Sequence, residues 1–367
     1  MIQEFRRYRE ERHQQIRNWK QENKKKVVGV FCCDVPEELI HAADMLPVRL
    51  LGEQEETAEA DLHLPTKVCP YPKSCFDQAL KGRYDYLDGL VVPNVCDIIR
   101  ALYGLWKNNL QLPYIRFLEI PQKISTEATT FFARELASFK ESLEEFSEKE
   151  ITDEALAHSI QVYNENRALL RRVYELRKAS APLISGVEAQ EMVISSMLMP
   201  KERHNQMLRR VLEQVEGHPA KKGVRLFISA SMLDNTDFLE LIEECGGNVV
   251  ADDMPMGSRY FFSSVTANRD PLAALAERYL HNIPCPRKML PQARLNWVSE
   301  TLKGAEVQGA IIHVLRACDC HLYEYPYLRE HLKGLGLPVS FFRGEETVMD
   351  KVQQRNNMEA FIEMVSG

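Results

Sequence analysis

Residues 27–52, VVGVFCCDVPEELIHAADMLPVRLLG, decide the fold. An apolar run over 27–33 is too short for a helix and has the composition of a buried strand. It ends in two cysteines, and a proline then leads into helical spacing, with Asp34 the expected cap of that helix. PVRLLG at 47–52 returns as a second short strand. Strand, helix and strand within 26 residues make a βαβ unit, and such units build parallel sheets.

Working outward, the alternation continues. CPYPKSC at 69–75 is a proline-punctuated connection leading to a helix near Cys75, with Ser74 the expected cap. DYLDGLVVPNVC, 85–96, reads as a third strand and DIIRALYGLWKNN as a helix; YIRFLEIP, 114–121, is a fourth strand. Residues 127–216 differ: their periodicity is helical throughout, with Thr152 and Ser185 as plausible N-caps. From 223 the α/β pattern resumes. GVRLFISAS, NVVADD, GAIIHVL and PVSFF are the strands, with helical runs between and after them. The expected class is α/β: two mainly parallel units joined by a helical segment. The expected divisions are a helical arm at 1–26, a first α/β domain at 27–126, a linking segment at 127–216 and a second α/β domain at 217–367.

The chain has 367 residues, 45% hydrophobic and 27% charged, with a net charge of -7. That balance belongs to a globular protein and gives no basis for non-specific nucleic-acid binding. Nine Lys/Arg against four Glu in residues 1–26 fit a solvated helix or a docking arm. No apolar run reaches the roughly 20 residues of a membrane span, and the N-terminus lacks the apolar segment of a secretory signal. A cytoplasmic location without membrane contact is expected. Nine cysteines is a high count there, because stable disulfides are disfavoured in that compartment.

The cysteines are not scattered evenly. Ligands of parallel α/β sheets bind beyond the carboxyl ends of the strands. Cys32 and Cys33 end the first strand, Cys96 follows the third, Cys318 and Cys320 follow GAIIHVL, and Cys69 lies in a connection. Thiols from both units therefore collect at site-forming edges. Soft thiolates suit an iron–sulfur cluster; zinc usually shows tight CxxC pairs, which this chain lacks. Spacing alone leaves an iron–sulfur site, a redox thiol, zinc and inert buried cysteines all open. Cys245 reads as a helix-packing residue, and Cys285 as a loop residue. Gly257, Ser258 and Arg259 form a turn that can cradle a phosphate or carboxylate, or simply be a tight turn. His41 and His313 read as structural, and His321 beside Cys320 as a candidate site residue. No GxGxxG follows the first strand and no GxxxxGK[ST] run occurs, so neither a nicotinamide site nor an ATP site has support.

Four separated blocks carry a resemblance: residues 29–52, 69–106, GGNVVADD followed by GSRY, and ACDCHLYEYPYLREHLKGLGLPVSFF. Together they resemble, in order, the catalytic-subunit family of 2-hydroxyacyl-CoA dehydratases and ATP-dependent benzoyl-CoA reductases (the D-component type). The resemblance implies two Rossmann-like units with a [4Fe–4S] cluster between them on Cys69, Cys96 and Cys318. Cys75, Cys320 and His321 stand as additional candidates. It further implies an acyl-CoA substrate, a paralogous subunit, and a separate activator that hydrolyses ATP to deliver electrons. Gly257, Ser258 and Arg259 become candidate substrate contacts. The activity implied is reduction of an aromatic acyl-CoA. The alternatives are dehydration of a 2-hydroxyacyl-CoA through a ketyl radical, small-molecule reduction by a double-cubane cluster, and a non-catalytic structural subunit. Two stretches depart from the family: DDMPMGSRY has methionines where a cysteine is common, and QQRNNMEAFIEM replaces the usual terminal pattern.

Overall fold

The computed structural model describes residues 2–65, 67–217, 219–266, 270–281, 285–288, 291–344 and 348–367. Eight strands form two parallel sheets of four. The first holds β1 (Val27–Val30), β2 (Leu46–Arg49), β3 (Gly89–Pro93) and β4 (Tyr114–Leu118); the second holds β5 (Val224–Ala230), β6 (Gly247–Asp253), β7 (Gly309–Leu315) and β8 (Val339–Gly344). The orders are β2-β1-β3-β4 and β6-β5-β7-β8, so the two sheets share one topology. In each, the order reverses beside the first strand, which creates a crevice at the carboxyl end between β1 and β3 and between β5 and β7. The apolar strands are buried because helices cover both faces of such sheets. The four residues of β1 all lie inside.

In the first half the helices are α1 (Ile2–Glu10), α2 (Arg12–Asn23), α3 (Glu37–Ala42), α4 (Ala58–Asp61), α5 (Pro70–Leu80) and α6 (Asp97–Asn109). α7 (Thr126–Ser147), α8 (Asp153–Lys178), α9 (Gly186–Ser196) and α10 (Lys201–Gln214) separate the sheets in sequence. The second half carries α11 (Asp237–Glu244), α12 (Ser258–Phe261), α13 (Pro271–His281), α14 (Pro291–Leu302), α15 (Asp319–Gly334) and α16 (Val348–Ser366). α8 buries Leu156, Ile160, Tyr163, Leu170 and Val173 at helical spacing, and its far end reaches the second sheet through Arg177, which donates to Asp252 at 2.8 Å. One hydrophobic core runs from β1 and β3 through α7–α10 to α12 and α13. The second sheet has smaller apolar clusters on its two faces.

The basic N-terminal helices face inward. Phe5, Tyr8 and Ile16 are buried, and Arg6 and Arg9 both bind Glu191, whose side chain is fully buried on α9. Burial of that carboxylate without its guanidinium partners would be prohibitive, so the positive charge of residues 1–26 serves docking within the chain.

Two expected caps are corrected. Pro36, not Asp34, is the N-cap of α3; the Asp34 carboxylate instead accepts from Arg287 at 2.6 Å. α5 begins five residues earlier than expected, because Pro70 suits a first helical position. Cys69 is its N-cap, and Ser74 lies inside the helix with its hydroxyl bonded to the backbone of Glu53. Thr152 and Ser185 do cap α8 and α9. Ser185 forms a full capping box with Glu188 and also donates to Glu243 at 3.0 Å. Ser185→Ala is expected to cost about 1–2 kcal/mol, read as a lowered denaturant midpoint with an unchanged slope. Among the described residues no helix is long and apolar enough to cross a membrane.

Candidate functional site

Three helix N-termini carry cysteines that act on one another. Cys69 is the N-cap of α5, Cys96 of α6 and Cys318 of α15. The last two follow β3 and β7, the strands beside the two topological reversals. Cys69 and Cys318 lie close enough for each to shift the other's ionisation, which brings the carboxyl edges of the two sheets together. Cys96 stands close enough for its charge to act on Cys69 and for that of Cys318 to act on it.

The ionisation of this group follows from its packing. Cys318 is driven well below the usual thiol range, first by the hydrogen bond from Cys69 and then, against burial, by His321. Cys69 is driven well above it as donor to that thiolate and by burial. Cys96 is pushed up to about 11, mainly by burial. Backbone N–H groups of Tyr71, Ile99 and His321, in the first turns of the three helices, oppose these rises or reinforce the fall. Helix N-termini favour negative charge, and thiolates gain from that placement.

Further thiols surround this trio. Cys32 sits at the end of β1 with φ of 56°, in the left-handed region that a non-glycine residue rarely adopts. Ala317, immediately before Cys318, has φ of 55°. Strained backbone thus lies at the ends of β1 and β7, two of the three strand ends that carry thiols, as recurs at functional sites. Cys33 and Cys320 are each pushed up to about 12, chiefly by burial. Cys285, in a loop, acts electrostatically on Cys33, Cys96 and Cys320. Cys75 is placed differently: it is fully buried in α5, beside Tyr71, and its strongest charge partner is Asp234. Cys245 caps the end of α11 and packs on the second-sheet core.

Arg287 brings positive charge to the same place. Its side chain is 3% exposed, it binds Asp34, and it acts on Cys96 and Cys320 in the acidifying direction. Its Nε and Nη1 are buried with no hydrogen-bond partner among the described residues. Unsatisfied donors of a buried guanidinium are costly, and here they accompany a collection of thiols.

The turn at 257–259 is built inward. Any side chain at Gly257 would place Cβ 2.5 Å from Asp252 Oδ1. Ser258 donates its N–H to that oxygen at 2.9 Å and its hydroxyl to the Asp252 carbonyl at 2.8 Å. Arg259, 1% exposed, donates from Nε and Nη2 to both oxygens of Asp253, at 2.5 and 2.8 Å. Its Nη1 faces His321 Nε2 at 3.3 Å, and His321 Nδ1 lies 3.3 Å from Cys318 Sγ. Arg259 is thus one bond removed from the thiols. Asp253 is also bound by Arg294, which in turn binds Glu324. The Asp252–Asp253 pair, Arg287, Arg294 and Glu324 are not legible as site residues from sequence. The acidic doublet ending NVVADD is the available signal.

A cleft of about 990 Å³ separates the units. It is walled by Gly52–Thr57 and α5 on one side and by Met232–Asn235, His313 and Leu315 on the other. Val68 and Pro70, flanking Cys69, and Leu315 and Arg316, preceding Cys318, border it, whereas Gly257, Ser258 and Arg259 do not. His313 packs on Phe238 with ring centroids 4.4 Å apart and is lowered to about 4 by burial, so it is neutral at pH 7. His41 bridges Ser159 and Glu202. Among the described residues, no group of three or more His, Cys, Asp or Glu side chains is already arranged around a metal-sized point.

The family model for the D-component of 2-hydroxyglutaryl-CoA dehydratase matches residues 32–365. The chain belongs to that family. It is 30% identical to the C subunit of benzoyl-CoA reductase from Thauera aromatica, over 90% of this chain and 88% of that one. It is 27% identical to the (R)-phenyllactyl-CoA dehydratase beta subunit of Clostridium sporogenes, over 92% and 91%. To the (R)-2-hydroxyglutaryl-CoA dehydratase beta subunit of Acidaminococcus fermentans it is 26% identical, over 92% of each.

Proposed function

We propose that this chain is an iron–sulfur subunit of an ATP-dependent acyl-CoA reductase of the benzoyl-CoA type. The observation that supports the reading is that Cys69, Cys96 and Cys318, the N-cap residues of three helices, lie close enough to shift one another's ionisation. The donor set fits a [4Fe–4S] cluster in chemistry: soft sulfur ligands, three N-terminal helix dipoles, and a buried guanidinium with free donors beside them. When bound, such a cluster supplies one-electron transfer at low potential.

The chain's own residues would do the rest. Cys69, Cys96 and Cys318 hold the cluster, and three protein ligands leave one position for another group. Cys320 and His321 follow Cys318 on the first turn of α15, where they would lie near such a cluster. Arg287, anchored by Asp34, offers charge-assisted hydrogen bonds to an anionic partner. Carboxylates on the cleft wall, including Glu53, Glu55, Asp61, Asp234 and Asp237, outnumber its basic groups. That charge repels a polyphosphate, so the nucleotide end of an acyl-CoA belongs outside this cleft and only its acyl arm can approach the thiols. The relatives named as beta or C subunits support pairing with a paralogous chain. The missing ATP-binding motif supports a separate ATP-hydrolysing activator.

A second reading, as part of a 2-hydroxyacyl-CoA dehydratase, is favoured by three dehydratase beta subunits among the relatives. Anaerobic assay of the complete complex separates the two. Benzoyl-CoA should consume two electrons and give a cyclic diene; water loss from 2-hydroxyacyl-CoAs with only catalytic electron input would support dehydration instead. Turnover of neither thioester by a cluster-loaded complex would overturn both.

A further inference from the structure

We infer that His321 is a positioning residue that aims a fixed N–H at the sulfur of Cys318 and thereby raises the reduction potential of the cluster held there. The inference rests on the cluster reading above and goes beyond it.

The direction of the proton follows from chemistry. Arg259 Nη1 faces His321 Nε2 at 3.3 Å. A guanidinium only donates, so Nε2 must accept. The imidazole proton therefore sits on Nδ1, which faces Cys318 Sγ at 3.3 Å. The tautomer is imposed by a neighbour that has no alternative role.

Arg259 cannot readily turn away. Both Asp253 oxygens bind it at 2.5 and 2.8 Å, and the same carboxylate accepts from Arg294 and from Ser229 at 2.7 Å. Asp253, Arg259 and Arg294 are each no more than 1% exposed, and His321 is 8% exposed. Arg294, Asp253, Arg259 and His321 thus form a buried chain ending at one sulfur. The i, i+3 spacing of Cys318 and His321 on the first turn of α15 holds the last link. Hydrogen bonds to cluster sulfurs tune the reduction potential, and donors stabilise the added negative charge of the reduced state.

The test uses anaerobically purified full-length chain, with iron content measured alongside an EPR-monitored redox titration. His321→Leu should keep its iron and show a midpoint potential shifted to more negative values. Wild-type protein carrying 15N-histidine should show, when reduced, a weak imidazole nitrogen coupling and an exchangeable-proton coupling. This second measurement needs no variant and stands if His321→Leu folds poorly. Full iron with an unmoved potential, or no histidine coupling in the wild type, overturns the role of His321 alone. Wild-type protein that takes up no iron overturns the cluster reading, and this inference falls with it.

Discussion

Replacing Cys69, Cys96 or Cys318 by alanine removes most of the bound iron, from about four per chain for a [4Fe–4S] cluster to less than half, while the fold persists. Each of these cysteines caps a different helix, so each brings a sulfur from a separate element. None of the three makes a side-chain cap hydrogen bond, so truncation removes no cap and should leave the chain folded. Two controls separate ligation from packing. Cys75→Ala should keep its iron and lose stability, because Cys75 is sealed in α5 beside Tyr71. Cys245→Ser, at the end of α11, should change neither. Anaerobic iron and sulfide analysis with circular dichroism reads all five variants. Full cluster retention in all three alanine variants would remove the basis for the ligand assignment.

Asp253→Asn is expected to destabilise the chain by about 3–5 kcal/mol, the cost of breaking a buried ion pair from one side. The carboxylate lies between two buried guanidinium groups, Arg259 and Arg294, and an amide cannot neutralise them. The same carboxylate gives a pH dependence. Arg259 and Arg294 hold its pKa far below the ordinary carboxylate value, against burial. Because the folded value is depressed, the stabilisation is fully present above the unfolded value, near 3.9, and is lost as pH falls through and below it toward the folded value. Urea midpoints between pH 7 and pH 3 should therefore fall more steeply for wild type than for Asp253→Asn. Parallel curves would show that the buried pair contributes nothing to acid sensitivity.

The architecture is legible in the sequence because its signals are local. Short apolar strands punctuated by helical spacing mark βαβ units wherever they occur, and both sheets follow from that alternation. Caps are less legible where tertiary structure competes. Asp34 has the right chemistry for α3, but Arg287, 253 residues away in sequence, claims its carboxylate. Ser74 has the chemistry of a cap because Pro70 and Pro72 suggest a loop before it; a proline in the first turn of a helix is equally at home. For the site, proximity to strand ends singles out a set of cysteines but not which of them approach one another. The contact between Cys69 and Cys318 depends on how the two sheets face, which no spacing encodes. A glycine turn after a strand commonly binds anions, and that pattern points to Arg259 as a substrate contact. Its burial against Asp253 reflects an acidic doublet, Asp252–Asp253, whose partners come from α8, α12 and α14.

The claim on which the account turns is that one iron–sulfur cluster bridges the two α/β units. Crystals grown anaerobically and measured on either side of the iron absorption edge test it directly. The account predicts a strong anomalous peak bounded by the sulfurs of Cys69, Cys96 and Cys318. An iron-free site in iron-replete, oxygen-free protein, or a peak held by Cys32, Cys33 and Cys285 without that trio, would contradict it.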